Sequence, residues 1–224
     1  MREFAMVKAV IFDVDGTLLN TERIYMQAWK EAGAQAGFDV PQDVLLRTRA
    51  IHKADAIKIF QEALGPTFDY EALHPVRTAI SEALIAQSTN LLLPGVKEAL
   101  EALKSKGCPM AVASSTGYEK TAEHLEHAGL LHYFDAVVGG DMVEHGKPNP
   151  DIFLKAAQLL GIEAEDCLVV GDTPADIKAA TAAGMHRILI PDCVQPDETI
   201  RAMSHHVLDS MHQLVGILEG VSRQ

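Results

Sequence analysis

The stretch Val10-Ile11-Phe12-Asp13-Val14-Asp15-Gly16-Thr17 decides how the rest of the chain is read. An apolar, β-branched run that stops at an aspartate reads as a strand leading into a turn. Strands filled with Val, Ile and Phe at successive positions are covered on both faces, and an ionised carboxylate at their end needs a strong partner. The pattern returns in Leu168-Val169-Val170-Gly171-Asp172-Thr173. Asp13, Asp15 and Asp172 thus cluster at the ends of two strands, a placement that points to one hard cation held by oxygen, Mg²⁺ or Ca²⁺. If extended geometry persists past Asp13, Asp13 and Asp15 share a face and address one pocket.

Further apolar runs occupy Met110–Ala113, Ala136–Val138 and Arg187–Ile190, with the first beginning at Val7. Between them, Val96–Lys106, Glu119–Ala128, Ile152–Leu160 and Ala175–Ala183 have helical spacing. Such alternation predicts a doubly wound, Rossmann-like parallel α/β sheet with helices on both faces. Gly107, Gly129, Gly161 and Gly184 each follow a helical stretch, where a left-handed C-cap is expected. The interval from about 20 to 92 breaks the rhythm: it holds no strand pattern and amphipathic stretches over 22–37, 53–64 and 70–87. One crossover needs one helix, so an inserted helical subdomain over 20–92 is expected, with 1–19 and 93–224 forming the core. The insertion starts beside the first carboxylate pair and would act as a lid, or else its helices extend the core.

Composition narrows the partners. The 224 residues carry 19 basic and 31 acidic side chains, a net charge of −12, which argues against nucleic acid or an anionic membrane surface as partner. A phosphorylated small molecule stays admissible, because a cation and a lysine can dominate a cleft. Hydrophobic residues make up 48 %, enough for a full core. No stretch has spanning length and no signal-type N-terminus is seen, so a soluble, cytoplasmic protein is expected. Cys108, Cys167 and Cys193 are odd in number and lack metal-like spacing, which suits unpaired thiols in a reducing compartment.

Each motif has a structural reading beside the chemical one. Asp13 does not open an EF-hand loop, because the sixth and twelfth positions, which require Gly and Glu, hold Leu18 and Ile24. A plain strand-to-turn aspartate explains one carboxylate but not two flanking Val14. Ala113-Ser114-Ser115-Thr116-Gly117 after the second strand is a helix N-cap cluster, or Ser114 and the amides that follow it hold an anionic oxygen at a helix N-terminus. In Gly146-Lys147-Pro148-Asn149-Pro150, Asn and Pro suit a helix start. A solvated lysine needs no such rigid neighbours, however, whereas an ammonium held against phosphate and carboxylates does. Asp176 lies in the first turn of a helix, where acids are favourable in any case; Asp172 is the better ligand. All four motifs fall at carboxyl ends of strands, the edge at which open α/β sheets bind ligands.

Taken in order, Asp13-x-Asp15-Gly16-Thr17, Ser114, Lys147 in Gly-Lys-Pro-x-Pro, and Gly171-Asp172-x-x-x-Asp176 resemble the haloacid dehalogenase superfamily, in its branch with a helical cap after the first strand. The resemblance covers essentially the whole chain. It implies a phosphatase acting on a small phosphorylated metabolite. Asp13 would be the nucleophile that forms an aspartyl-phosphate, and Asp15 would protonate the leaving oxygen and later activate water. Ser114 and Lys147 would hold the phosphoryl oxygens, with Gly16, Thr17 and Ser115 beside them. Mg²⁺ would be bound by Asp13, Asp172 and the backbone carbonyl of Asp15, with Asp176 in support. The acid at position 15 implies phosphate esters rather than carbon–halogen or carbon–phosphorus bonds, since members cleaving those bonds lack it.

Two departures bear on the choice within this branch. The related β-phosphoglucomutases use a histidine where this chain has Tyr25, which speaks against mutase turnover. Position 50 is Ala where many relatives carry Gly in the substrate-facing loop of the cap; His52 and Lys53 are substrate-facing candidates there, or simply exposed helix-start residues. His205, His206 and His212 lack companion ligands, and Trp29 has the spacing of a packed residue. A non-catalytic phospho-ligand-binding protein is the reading of a different class, and a monomer or weak homodimer is expected.

Overall fold

In the computed structural model, which describes residues 7–49 and 53–218, the run ending at Asp13 is the first strand of a parallel sheet. β1 (Ala9–Phe12) is followed by four helices, α1 (Thr21–Gln35), α2 (Gln42–Arg47), α3 (Lys53–Leu64) and α4 (Tyr70–Gln87). Helices and strands then alternate through α5 (Val96–Ser105), β2 (Met110–Ala113), α6 (Tyr118–His127), β3 (Ala136–Val138), α7 (Asp151–Leu160) and β4 (Cys167–Gly171). The last elements are α8 (Pro174–Ala182), β5 (His186–Leu189), α9 (Glu198–Met203), β6 (His206–Val207) and α10 (Met211–Leu218).

The strand order is β3-β2-β1-β4-β5-β6 and every pairing is parallel. This is the expected doubly wound α/β sheet. Its order reverses at β1, so a crevice opens at the carboxyl ends of β1 and β4. Phe12 pairs with Val112 on one side and Val170 on the other. Asp13 therefore leaves the sheet beside the ends of both neighbours.

Alternation decides what each face packs. Ala9, Ile11, Ala111 and Val169 join Phe153 and Ala156 of α7 and Ala180 of α8 in one cluster. The intervening Val10, Phe12, Met110, Val112 and Val170 are buried just as completely, so both faces are covered. Each such fully buried aliphatic or Phe side chain contributes about 1.5–3 kcal/mol. Gly107, Gly129, Gly161 and Gly184 all have positive φ, from 61 to 72°, as their C-cap positions require. β6, α2 and α9 were not anticipated. Two residues of strand and six of helix are too short to establish a period in sequence.

The chain divides into two compact units, Met1–Leu19 with Leu92–Gln224, and Asn20–Leu91. In the first, Leu19 bridges Leu92 and the Leu93 N–H donates to the Leu18 carbonyl at 3.0 Å. In the second, the Asn20 N–H donates to the Leu91 carbonyl at 2.8 Å, so the unit's two ends meet. Its interior is aromatic. Trp29 lies 4.7 Å from Phe60, which stacks on Phe68 at 5.0 Å with the planes 2° apart. Trp29 is packed within this cluster, as its spacing suggests. No helix among the described residues is long and apolar enough to cross a membrane.

Candidate active site

The site is built from four chain segments of the sheet-bearing unit, each leaving a strand end or opening a helix. β1 ends at Phe12 rather than continuing through Asp15. The Asp13 N–H still donates to the Val170 carbonyl at 2.9 Å, but the chain then turns sharply. The Val14 carbonyl accepts from the N–H groups of Thr17, Leu18 and Leu19. Gly16 supports the turn with φ of +88°, a conformation that L side chains rarely adopt. Asp13 and Asp15 consequently have different partners.

Asp13 faces Lys147. The Lys147 ammonium donates to Asp13 Oδ1 at 2.5 Å and to the Ala113 carbonyl at 2.8 Å, and pairs with Asp176 Oδ1 at 2.7 Å. The first two contacts are hydrogen bonds and the third is an ion pair. Its side chain is 4 % exposed and its nitrogen lies 4.9 Å from the centre of the Phe153 ring. An ion pair this deep persists only because each charge meets an opposite one and further hydrogen bonds.

Asp176 has a second task. Its Oδ2 accepts from the Thr173 N–H at 3.0 Å and from Thr173 Oγ1 at 2.5 Å, closing a capping box at the start of α8. The helix start thereby fixes the carboxylate whose other oxygen meets Lys147. Gly171 allows the approach, since a Cβ there would lie 2.5 Å from that of Asp176. Asp172 is buried beside them, and Thr17 donates its hydroxyl to Asp172 Oδ1 at 3.4 Å.

Carboxylate oxygens of Asp13, Asp172 and Asp176 lie within 4.8 Å of one another. Three buried carboxylates against one ammonium leave two negative charges unbalanced when all are ionised. An all-oxygen, net-negative cluster is the donor set that suits a hard divalent cation. Burial pushes the Asp13 carboxyl up, opposed by the Lys147 ammonium and reinforced by the charges of Asp176 and Asp15. For Lys147, burial works against the charge, but Asp13 and Asp176 outweigh it and hold the ammonium above its ordinary value. Lys147 is therefore charged throughout the physiological range.

Asp15 takes its partners from the segment after β2. Ser114 Oγ and Thr116 Oγ1 both donate to Asp15 Oδ2, each at 3.2 Å. Ser114 is fully buried and Ser115 is exposed. Sequence reasoning placed Thr116 in a helix-cap cluster and missed its contact with Asp15, which spans 101 positions. Lys53 belongs to the helical unit, where it is exposed and paired with Glu71 at 2.6 Å. His52 and Ala50 lie outside the described residues. Tyr25, also in the helical unit, carries the Arg77 guanidinium 4.3 Å above its ring.

Comparison with known proteins places this geometry in context. Residues 7–184 match the sequence profile of the haloacid dehalogenase-like hydrolases. The chain is 33 % identical over 186 residues to a phosphorylated carbohydrates phosphatase of Thermotoga maritima, covering 81 % of this chain and 84 % of that protein. It is 27 % identical over 216 residues to a β-phosphoglucomutase of Bacillus subtilis, covering 92 % and 95 %. Among solved structures, CbbY of Rhodobacter sphaeroides bound to xylulose-(1,5)bisphosphate superposes with a TM-score of 0.79 at 27 % identity, over 97 % of this chain and 100 % of that one.

Proposed function

The chain belongs to the haloacid dehalogenase-like hydrolase family, and on that premise we propose that it is a Mg²⁺-dependent phosphatase. It hydrolyses a small phosphorylated metabolite of the sugar phosphate, nucleotide or phosphoglycolate class through an aspartyl-phosphate on Asp13. The observation that carries this reading is the buried Lys147 ammonium, held between Asp13 and Asp176 at the strand ends.

Phosphoryl transfer needs positioning and charge neutralisation above all. Lys147 is fixed by two hydrogen bonds and an ion pair, so it presents a set positive charge where a phosphoryl group would meet the Asp13 carboxylate. Asp13, Asp172 and the Asp15 backbone would hold Mg²⁺, with Asp176 in support, and the ion would neutralise charge on the phosphoryl oxygens. Asp13 Oδ attacks phosphorus; the ester oxygen leaves with a proton from Asp15. In the second half, Asp15 takes a proton from water as the water oxygen displaces Asp13 and releases phosphate. Ser115, Gly16, Thr17 and the amides that follow Ser114 would bind phosphoryl oxygens alongside Lys147.

A phosphatase named for phosphorylated carbohydrates lies among the relatives, which supports a sugar phosphate as substrate. A phosphomutase on the same scaffold is the second reading, supported by the B. subtilis β-phosphoglucomutase. Against it stands Tyr25, whose ring lies under Arg77 at the position where the mutases use histidine. A screen for phosphate release with Mg²⁺ across sugar phosphates, nucleotides and 2-phosphoglycolate tests the proposal. Free phosphate in the wild type, and on the order of 10³-fold less or none in Asp13→Asn with its melting temperature preserved, is the expected result. Isomerised hexose phosphate in place of free phosphate would favour the mutase.

A further inference from the structure

We propose that Thr116 is a positioning residue for Asp15, and that its hydroxyl acts with that of Ser114 to aim the carboxyl that donates the proton to the leaving group. The inference rests on the phosphatase reading and extends it to a residue outside the motif set.

The contact geometry is specific. Both hydroxyls donate to the same oxygen, Asp15 Oδ2, each at 3.2 Å. They are themselves linked, since the Thr116 N–H donates to Ser114 Oγ at 3.0 Å. The three groups form a closed ring of hydrogen bonds that fixes the plane and rotamer of the carboxyl. Because Oδ2 accepts both donors, the pair fixes which carboxyl oxygen faces them and how the carboxyl is turned.

Thr116 is held in place from outside the ring. Its carbonyl accepts from the Gly140 N–H at 2.9 Å and from Thr121 Oγ1 at 3.3 Å. Gly139 and Gly140, which follow β3, press directly on this segment. A Cβ on Gly140 would lie 2.5 Å from the Ser115 carbonyl oxygen, and one on Gly139 would collide with the Tyr118 amide. Asp141 adds an anchor by accepting from the Tyr118 N–H at 2.8 Å. The turn after β3 thus buttresses the turn after β2, which in turn orients Asp15. Proton transfer is effective only from a carboxyl held within hydrogen-bond reach of the reacting oxygen.

The proton balance gives the test. In the first half-reaction the bond from Asp13 to phosphorus forms, the ester P–O bond breaks, and the leaving oxygen takes the proton of Asp15. An alkyl alkoxide needs that proton, whereas 4-nitrophenolate leaves without it. In the second half-reaction water attacks phosphorus and gives a proton back to Asp15, whichever ester was used. Because kcat/KM reports only steps up to leaving-group departure, it isolates the first.

The experiment compares wild type, Thr116→Val and Thr116→Ser on 4-nitrophenyl phosphate and on whichever of fructose 1-phosphate, glucose 6-phosphate and 2-phosphoglycolate the wild type turns over fastest. The expected result for Thr116→Val is that the ratio of kcat/KM for the alkyl ester to that for the nitrophenyl ester falls about tenfold or more, part of the 10²–10⁴ that a general acid supplies. Thr116→Ser restores the ratio, and a pre-steady-state burst of nitrophenolate appears in Thr116→Val because the second half is slowed. Equal losses on both esters, or a rise in KM alone, would overturn the proposal and make Thr116 a structural or substrate-contacting residue. A wild type that hydrolyses none of these esters and no nucleotide monophosphate would instead remove the phosphatase reading. The Val variant keeps the backbone contacts of Thr116, and its melting temperature checks that the loop stays folded.

Discussion

The sheet-bearing unit encloses three carboxylates around one ammonium, whereas the interior of the helical unit is built on packed rings. At the strand ends Asp13, Asp172 and Asp176 are all enclosed, together with Ser114 and Thr17. Among the described residues of Asn20–Leu91, the buried polar side chains are only Thr21 and Ser81, and the interior is Trp29, Phe60, Phe68 and their aliphatic neighbours. Lys53 and Glu71 in that unit are 57 % and 63 % exposed, and such pairs contribute little to stability, whereas Arg49 and Glu22, paired at 2.9 Å, are largely enclosed. A buried carboxylate, by contrast, is costly unless matched, so its presence in the sheet unit calls for a chemical reason. The contrast teaches that stability and chemistry have been assigned to different surfaces of the same chain.

Replacing the charge that holds the strand-end cluster together breaks the contrast most severely. Lys147→Ala leaves Asp13 and Asp176 buried without their ammonium. Removing one partner of a buried pair costs about 3–5 kcal/mol, so in metal-free buffer chemical denaturation should show a loss of that size, and phosphate release should vanish. Phe60→Ala makes the converse cut. It removes a fully buried ring stacked on Phe68, at about 3–5 kcal/mol. The expected signature is an early transition of the helical unit in a thermal melt, while Mg²⁺ still stabilises the sheet unit. If Phe60→Ala abolished that response, the two surfaces would be less separate than their interiors indicate.

A smaller effect sharpens the comparison. A divalent cation that binds only the folded protein raises stability by about 2.7 kcal/mol at a concentration one hundred times its Kd. The melting temperature should therefore rise with Mg²⁺ in the wild type. Asp172→Asn keeps the shape of the side chain but removes one charge from the cluster, and should flatten the response. An undiminished rise in that variant would place the cation elsewhere.

Much of this was legible in the sequence because burial imposes local patterns. The runs at Val10 and Leu168 read as strands from composition alone, and Asp13 and Asp172 stood out because acids rarely follow such runs. Gly107, Gly129, Gly161 and Gly184 marked helix ends for a steric reason that operates within two residues. Asp176 read as a helix-start acid, and it does cap α8, yet its bond to Lys147 could not be seen. The shared face for Asp13 and Asp15 assumed that the strand continued; the turn centred on the Val14 carbonyl separates their partners. The bond from Thr116 to Asp15 and the packing of the Gly139-Gly140 pair left no signal, since each depends on a neighbour brought up by another strand.

The sequence by itself determined the elements and their order: alternating strands and helices, an aberrant helical stretch, and acids at strand ends. These follow from short-range sterics and from the cost of burying polar groups, both of which act on consecutive residues. Only the tertiary structure decided the pairings. Lys147 reaches Asp13 across 134 positions and Ser114 reaches Asp15 across 99, distances along the chain at which local preference carries no information. The register of β1 against β2 and β4 sets those meetings. An ammonium or a hydroxyl then takes whichever acceptor lies within hydrogen-bond reach, so Asp13 meets the lysine and Asp15 meets the hydroxyls.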